Sequence, residues 1–350
     1  MKNTLKRITQ VSLILIFTIS LFSCSNDDDA PKFTPKQTDV YVAGYQSNGI
    51  NRVAKVWKNG TATNLTDGSN SAFAYSVVVS GDDVYVVGAE SNGAKYIAKI
   101  WKNGTATDLT DGSKNAFATS VFVSKNDVYV VGYEGLFYRQ VAKIWKNGVA
   151  TNLTYGSKET IVRSLFVRGD DVYVVGSERL DSKNKTVAKI WKNGIATDLT
   201  DGSNFANAYS VVVNGNDVYV AGYESNGTSR VAKLWKNGVA TDLTDGSNSA
   251  LASSVFVSKN DIYVVGSERK GTKYVATIWK NGIATELPTD SSKHVYTKSV
   301  VVSGDDVYVV GYESNSNASS LAMKFWKNGK ENNIIDSSNY NSEAHSVFVK

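Results

Sequence analysis

Cysteine is all but missing: Cys24 is the only one in 350 residues. That absence excludes an intramolecular disulfide framework and any cysteine-built metal cage. Proline is nearly as scarce, at Pro31, Pro35 and Pro288. The long stretches between are rich in Val, Tyr, Thr and Trp, which is β composition, and they carry no helical hydrophobic pattern. A strong charge of one sign is missing too. Lys2, Lys6 and Arg7 stand in the first 24 residues, where there is no acid, so 38 − 3 = 35 basic residues face 33 acidic ones over the rest. A balance of about +2 lacks the electrostatic footprint of a nucleic-acid binder, so no nucleic-acid partner is expected.

The chain begins with a short basic stretch, MKNTLKR, followed by VSLILIFTISLF and then LFSC. The apolar run is too short to span a bilayer and fits the core of a signal peptide. LFSC resembles the bacterial lipobox, which a lipoprotein signal peptidase cuts before the cysteine. The next residues, SNDDD (Ser25–Asp29), resemble the serine-plus-acidic export tag of surface lipoproteins of the Bacteroidota, and they also read as a solvated tether. The resemblance implies a leader over 1–23, lipidation at Cys24 with a flexible tether over 24–38, and a folded body over 39–350. A diacylated cysteine would supply a membrane anchor. The expected address is therefore the outer membrane, at the cell surface, with a periplasm-facing orientation as the alternative.

What the body does contain is one phrase seven times. Trp57, Trp101, Trp145, Trp191, Trp235, Trp279 and Trp326 each open WKNG, and the chain has no other tryptophan. Successive tryptophans are 44, 44, 46, 44, 44 and 47 residues apart, a period of propeller blades rather than helical solenoids. The unit from Ser76 to Ser120 parses into four strands: SVVVS, VYVVG, YIAKIW and TATDLT. The Asn-Gly between the last two is the signature of a two-residue hairpin. The chain enters the repeat at a second strand, DVYVAGY (Asp39–Tyr45), and leaves it at a first strand, HSVFVK (His345–Lys350). The expectation is an all-β, seven-bladed β-propeller of four-stranded antiparallel blades, closed by pairing of the C-terminal strand with the N-terminal one, and monomeric. The sequence resembles the β-propeller superfamily in this respect, without the GH…WD pattern of WD repeats or the paired glycines of kelch. That resemblance implies fold and location only, because propellers host many functions.

Residues present in every copy are expected to hold blades together. The tryptophans are read as wedges between sheets, with a sugar-stacking platform as the alternative. Ser76, Ser120, Ser164, Ser210, Ser254, Ser299 and Ser346 read as the heads of first strands, and Asp39, Asp83, Asp127, Asp171, Asp217, Asp261 and Asp306 precede each second strand. Short polar side chains there satisfy backbone amides. DLTDGS places carboxylates three apart (Asp108 and Asp111, Asp198 and Asp201, Asp242 and Asp245), which is not the every-second-residue spacing of a calcium loop. Turn capping is preferred, with neither metal nor cofactor expected. The recurring glutamates of the second strand and lysines of the third predict cross-strand pairs.

Function is sought where the copies disagree. The residue before each recurring serine is Tyr75, Thr119, Arg163, Tyr209, Ser253, Lys298 and His345. If the serines align around the ring, these seven crowd the channel mouth. From them Tyr75, Arg163, Tyr209, Lys298 and His345 are the candidate ligand-binding residues. Phe137, Tyr138 and Arg139, in the variable loop YEGLFYRQ, join them as exposed aromatics beside a cation. The two histidines, His294 and His345, read as inter-blade loop residues, and no catalytic motif accompanies them. The expected function is a membrane-anchored module binding a glycan or a protein partner. The alternatives are a polysaccharide lyase or hydrolase on a propeller scaffold and a structural subunit of an outer-membrane assembly.

Overall fold

The structure is a computed structural model that describes residues 38–136, 139–156, 158–180, 185–289, 293–315, 320–332 and 341–350. The leader, Cys24 and the tether up to Gln37 lie outside the described residues, as do Phe137 and Tyr138.

Seven four-stranded antiparallel sheets make a seven-bladed β-propeller. Blades 2 to 7 are consecutive in the chain, over 72–108, 116–152, 160–198, 206–242, 250–286 and 294–331. Blade 1 is composite. Its three outer strands are Val40–Ser47, Arg52–Lys58 and Thr61–Asn64, and its inner strand is the last of the chain, Ser342–Val349. Val40 pairs with Val349 and Gln46 with Ser342, and Asp39 and Lys350 exchange backbone hydrogen bonds of 3.1 and 2.9 Å beyond them. This pairing closes the ring and removes the free edge.

Each letter of WKNG has a structural cause. The tryptophans are at most 3 % exposed. Trp101 packs with Tyr41, Ala43, Ala54, Ala72 and Ala74, from blades 1 and 2. They are wedges between sheets, and none presents a face for a sugar. Asparagine and glycine occupy the two turn positions at φ of 49–53° and 74–86°, which is the type I′ geometry. In blade 2, Asn103 also accepts the Val84 amide at 2.8 Å and donates to Asp83 at 2.7 Å. Lys102 reaches the other Asp83 oxygen at 2.8 Å while lying 5.4 Å over the Tyr85 ring. The same latch recurs in all seven blades, with Lys–Asp distances of 2.7–2.8 Å. It staples the third-strand hairpin to the start of the second strand.

The latch makes stability depend on pH in a definite direction. The lysine hydrogen bond, with that of the asparagine, holds all seven aspartates below their ordinary 3.8. Hydrogen bonding to the same aspartates raises the lysines above 10.5. A depressed carboxyl adds stability that is complete above its unfolded value and is lost as pH falls through its folded one. A raised lysine adds stability below its unfolded value and loses it as pH rises through its folded one. Urea midpoints should therefore be level between about pH 5 and pH 9 and decline below about pH 4. A profile that stays level to about pH 2 would show the latches contribute nothing.

Burial differs across the four strands of a blade. The outer strands are exposed at every residue in blades 1 to 6. The continuous buried run lies on the second strand rather than the innermost, which alternates. The second strand is covered by sheets on both faces, whereas alternate inner-strand residues face the channel.

Candidate functional site

The recurring serines lie within the inner strands, not at their heads; Ser76, for example, lies inside Ala72–Ser80. Each serine Oγ accepts the amide of the residue after the next blade's serine. The donors run Val121 to Ser76, Leu165 to Ser120, Val211 to Ser164, Val255 to Ser210, Val300 to Ser254, Val347 to Ser299 and Val77 to Ser346, all at 3.2–3.3 Å. The circle is complete and holds all seven serines at one level. The residues in front of them are thereby level too.

Those residues are β-bulges. Ala74 pairs with Gly88 and Ser76 with Val87, so Tyr75 has no cross-strand partner. The same skip occurs at Thr119, Arg163, Tyr209, Ser253, Lys298 and His345. A bulge re-aims the side chain of its extra residue. The second-strand glycine makes it possible. At Gly44, Gly88, Gly132, Gly176, Gly222, Gly266 and Gly311 a Cβ would stand 1.9–2.1 Å from an inner-strand carbonyl oxygen.

All seven bulge residues line one cavity of about 690 Å³ at the channel mouth. Further wall comes from the residue after the glycine (Tyr45, Tyr133, Ser267, Tyr312) and from the residue two before the bulge (Phe73, Leu251, Tyr296, Glu343). Arg52, from the third strand of blade 1, completes one side. The aromatic rings are ordered against one another. His345 stacks on Tyr75 at 5.1 Å, Tyr75 on Phe73 at 5.7 Å, and Tyr296 on Tyr312 at 5.2 Å. Arg163 lies 5.1 Å over Tyr209, Lys298 5.2 Å over Tyr312, and Arg52 5.4 Å over Tyr45.

One carboxylate stands among them. Glu343 meets Lys298 at 3.1 Å and His345 Nε2 at 3.3 Å, and accepts the Tyr45 hydroxyl at 3.1 Å. Burial works to raise its pKa, but the hydrogen bond and charge of His345 and the charge of Lys298 win and hold the carboxyl well below the usual range. Burial pushes the Tyr45 phenol up to about 12 and drives Tyr75 and Tyr312 further up. The phenols are therefore neutral hydroxyl groups across the physiological range.

Five of the eight sequence candidates, Tyr75, Arg163, Tyr209, Lys298 and His345, meet in this cavity. Arg139 does not join them: it lies with Lys114, Glu134 and Leu136 at a separate depression of about 300 Å³ on blade 3. Both histidines are strand residues, not loop residues. His294 accepts the Tyr274 amide through Nδ1 at 3.2 Å and is not on the cavity wall. Sequence reasoning overlooked Glu343, Tyr45, Tyr312 and Arg52. A signal for Glu343 was present: its place is held elsewhere by Phe73, Phe117, Ile161, Asn207, Leu251 and Tyr296, so it is the single ionisable carboxyl in that register.

The remaining motifs are structural. Asp111 accepts the Ser113 amide at 2.9 Å and Asp108 meets Lys99 at 2.6 Å. Among the described residues no three His, Cys, Asp or Glu side chains come together to hold a metal ion. The second-strand glutamates meet third-strand lysines at 2.5–3.4 Å in five blades.

No family model matches the sequence, and no curated protein does. Solved structures are similar in fold. The acylaminoacyl peptidase of Pyrococcus horikoshii in its orthorhombic crystal form superposes with a TM-score of 0.53 at 13% identity, over 87% of this chain and 52% of that one. The uncomplexed form gives 0.54 at 12% identity, over 86% and 51%. The β-propeller domain of the Trilobed protease from Pyrococcus furiosus gives 0.40 at 11% identity, over 77% and 97%. This chain spans about half the length of the two peptidase structures. At such identities the likeness is one of fold.

Proposed function

We propose that this propeller is a binding module that takes a glycan into the mouth of its channel, and that Cys24 anchors it by lipid to the outer membrane, facing outward. The observation that carries the binding reading is the convergence of seven bulge residues of varied type on one cavity of about 690 Å³. A cavity of that size falls within the range of ligand pockets, about 300–1,000 Å³. Its ordered ring faces suit the apolar faces of sugar rings, and its neutral phenols and cations suit their hydroxyl groups. A protein partner would want a broad surface of about 800 Å² rather than a recess. The anchor reading rests on LFSC with the lone Cys24 and on SNDDD after it.

The binding test is native affinity electrophoresis of the full-length protein in detergent through gels containing different polysaccharides. Retardation is expected, and Tyr75→Ala should weaken it by about tenfold or more, because a large aromatic ring in the wall of a recess carries a large share of binding. No retardation by any polysaccharide would overturn the glycan reading and turn attention to a protein partner or a structural subunit. The half-buried Glu343–His345 pair beside Tyr75 favours a second reading, a polysaccharide lyase or hydrolase. New reducing ends or unsaturated products in the same incubations would establish that one. For the anchor, Cys24→Ser should abolish lipid labelling and release the protein from membranes.

A further inference from the structure

We infer that the ligand of this cavity is an anionic saccharide, one carrying carboxylate or sulfate groups, an inference that rests on the glycan reading above. Most lysines that recur from blade to blade are answered by a carboxylate. Every latch lysine has its aspartate, and five third-strand lysines have a glutamate. The cavity breaks that habit. Arg52 and Arg163 both line it, both are exposed, and neither meets a carboxylate among the described residues. Each is parked over an aromatic ring instead, Arg52 over Tyr45 and Phe73 and Arg163 over Tyr209.

That arrangement has a chemical meaning. A guanidinium placed over a ring, outside any carboxylate pair, has N–H donors to offer, and their planar fork matches the paired oxygens of a carboxylate or a sulfate. The wall counts three fixed cations, Arg52, Arg163 and Lys298, against one carboxylate, Glu343. Glu343 is already committed to Lys298, His345 and Tyr45, so its charge is answered locally. A recess with a surplus of one sign focuses its field on an incoming charge of the other. Placement on the ring extends the point. Lys298 and Arg52 belong to the neighbouring blades 7 and 1, while Arg163 belongs to blade 4, three blades away in a ring of seven. Cations thus bracket the mouth from opposite sides, which suits a saccharide of more than one unit with an anionic group at intervals. The stacked Tyr75 and Phe73 rings add an apolar surface to the same wall.

The test is a set of binding titrations of the full-length protein in detergent against oligogalacturonate, dextran sulfate, and neutral dextran, starch and xylan. Either anionic saccharide should bind while the neutral ones do not, and which of the two binds distinguishes carboxylate from sulfate. The dissociation constant should rise about tenfold or more between 50 and 500 mM salt. Arg163→Gln and Arg52→Gln should each weaken binding by about tenfold or more. Arg168→Gln is the control for net charge: it lies at the far end of the same strand as Arg163, is exposed, and should change affinity by less than about twofold. Neutral saccharides binding as well as anionic ones would overturn this inference and leave the glycan reading standing. Equal loss with Arg168→Gln, or none with either cavity arginine, would overturn it as unspecific charge attraction. Silence from all five saccharides would take down the glycan reading itself.

Discussion

Gly88→Ala should destabilise the protein by at least about 3 kcal/mol and abolish binding at the channel mouth, while Gly104→Ala should cost about 1–2 kcal/mol and leave binding intact. The two glycines are constrained in different ways. Gly104 sits in a hairpin turn at φ +83°, and a Cβ there would meet nothing within 4 Å. Alanine at that site bears only the strain of a left-handed conformation. Gly88 has no conformational need of that kind. Its Cβ would stand 1.9 Å from the Phe73 carbonyl oxygen and 2.9 Å from the Phe73 carbonyl carbon. Those atoms are backbone, held in register by the pairs Phe73–Ala89 and Ala74–Gly88. A flexible side chain could turn aside; a paired strand cannot. Relief requires the inner strand to lift away, which undoes the bulge at Tyr75 and stretches the bond that the Val77 amide donates to the Ser346 Oγ. Urea denaturation of both variants, with affinity electrophoresis alongside, checks the pair. If Gly88→Ala unfolds within about 1 kcal/mol of the parent, the bulge is not what the glycine protects.

Removal of residues 342–350 should be more severe: no cooperative thermal transition, and association into larger species. The deletion strips the inner strand from blade 1 and exposes the edge of Val40–Ser47 along its whole length. Buried Ala344 and Val347 go with it, and they belong to the cluster that contains Val42, Trp57 and Val310 from blades 1 and 7. The serine circle is cut twice, at the Ser299–Val347 bond and at the Ser346–Val77 bond. A folded domain has only about 5–15 kcal/mol in hand, and the losses here fall on one closed structure rather than on independent units. The bared edge strand is also a template for pairing with another chain. Calorimetry and gel filtration provide the readout, and a synthetic peptide of residues 341–350 added in trans should restore the transition. A truncated protein that melted within a few degrees of the parent would show that ring closure does not hold the propeller together.

Periodicity alone determined much of this protein. Seven tryptophans at near-equal spacing, Asn-Gly after each, and a repeat whose first copy opens on a second strand and whose last copy ends on a first are enough to specify seven blades and the pairing that joins the two partial copies. They suffice because each signal is local: an Asn-Gly hairpin needs only its own backbone angles, and a blade repeats its neighbours. The level of the bulge residues was legible for the same reason, since the recurring serine marks it. What those residues do together was decided by tertiary structure. Tyr75, Arg163 and Lys298 lie on blades 2, 4 and 7, and nothing short of the closed ring puts them in one cavity. Glu343 is an unremarked acid in sequence, yet three partners from two neighbouring blades converge on it. Arg139 looked equal to Arg163 as a variable-position cation and lies elsewhere: Arg163 sits on the innermost strand, whereas Arg139 is on a third strand, six residues before Trp145, one step out of register with Arg52, the third-strand cation that does reach the cavity five residues before Trp57. Access to the channel mouth is set by strand order and register together, and residue type carries no record of either.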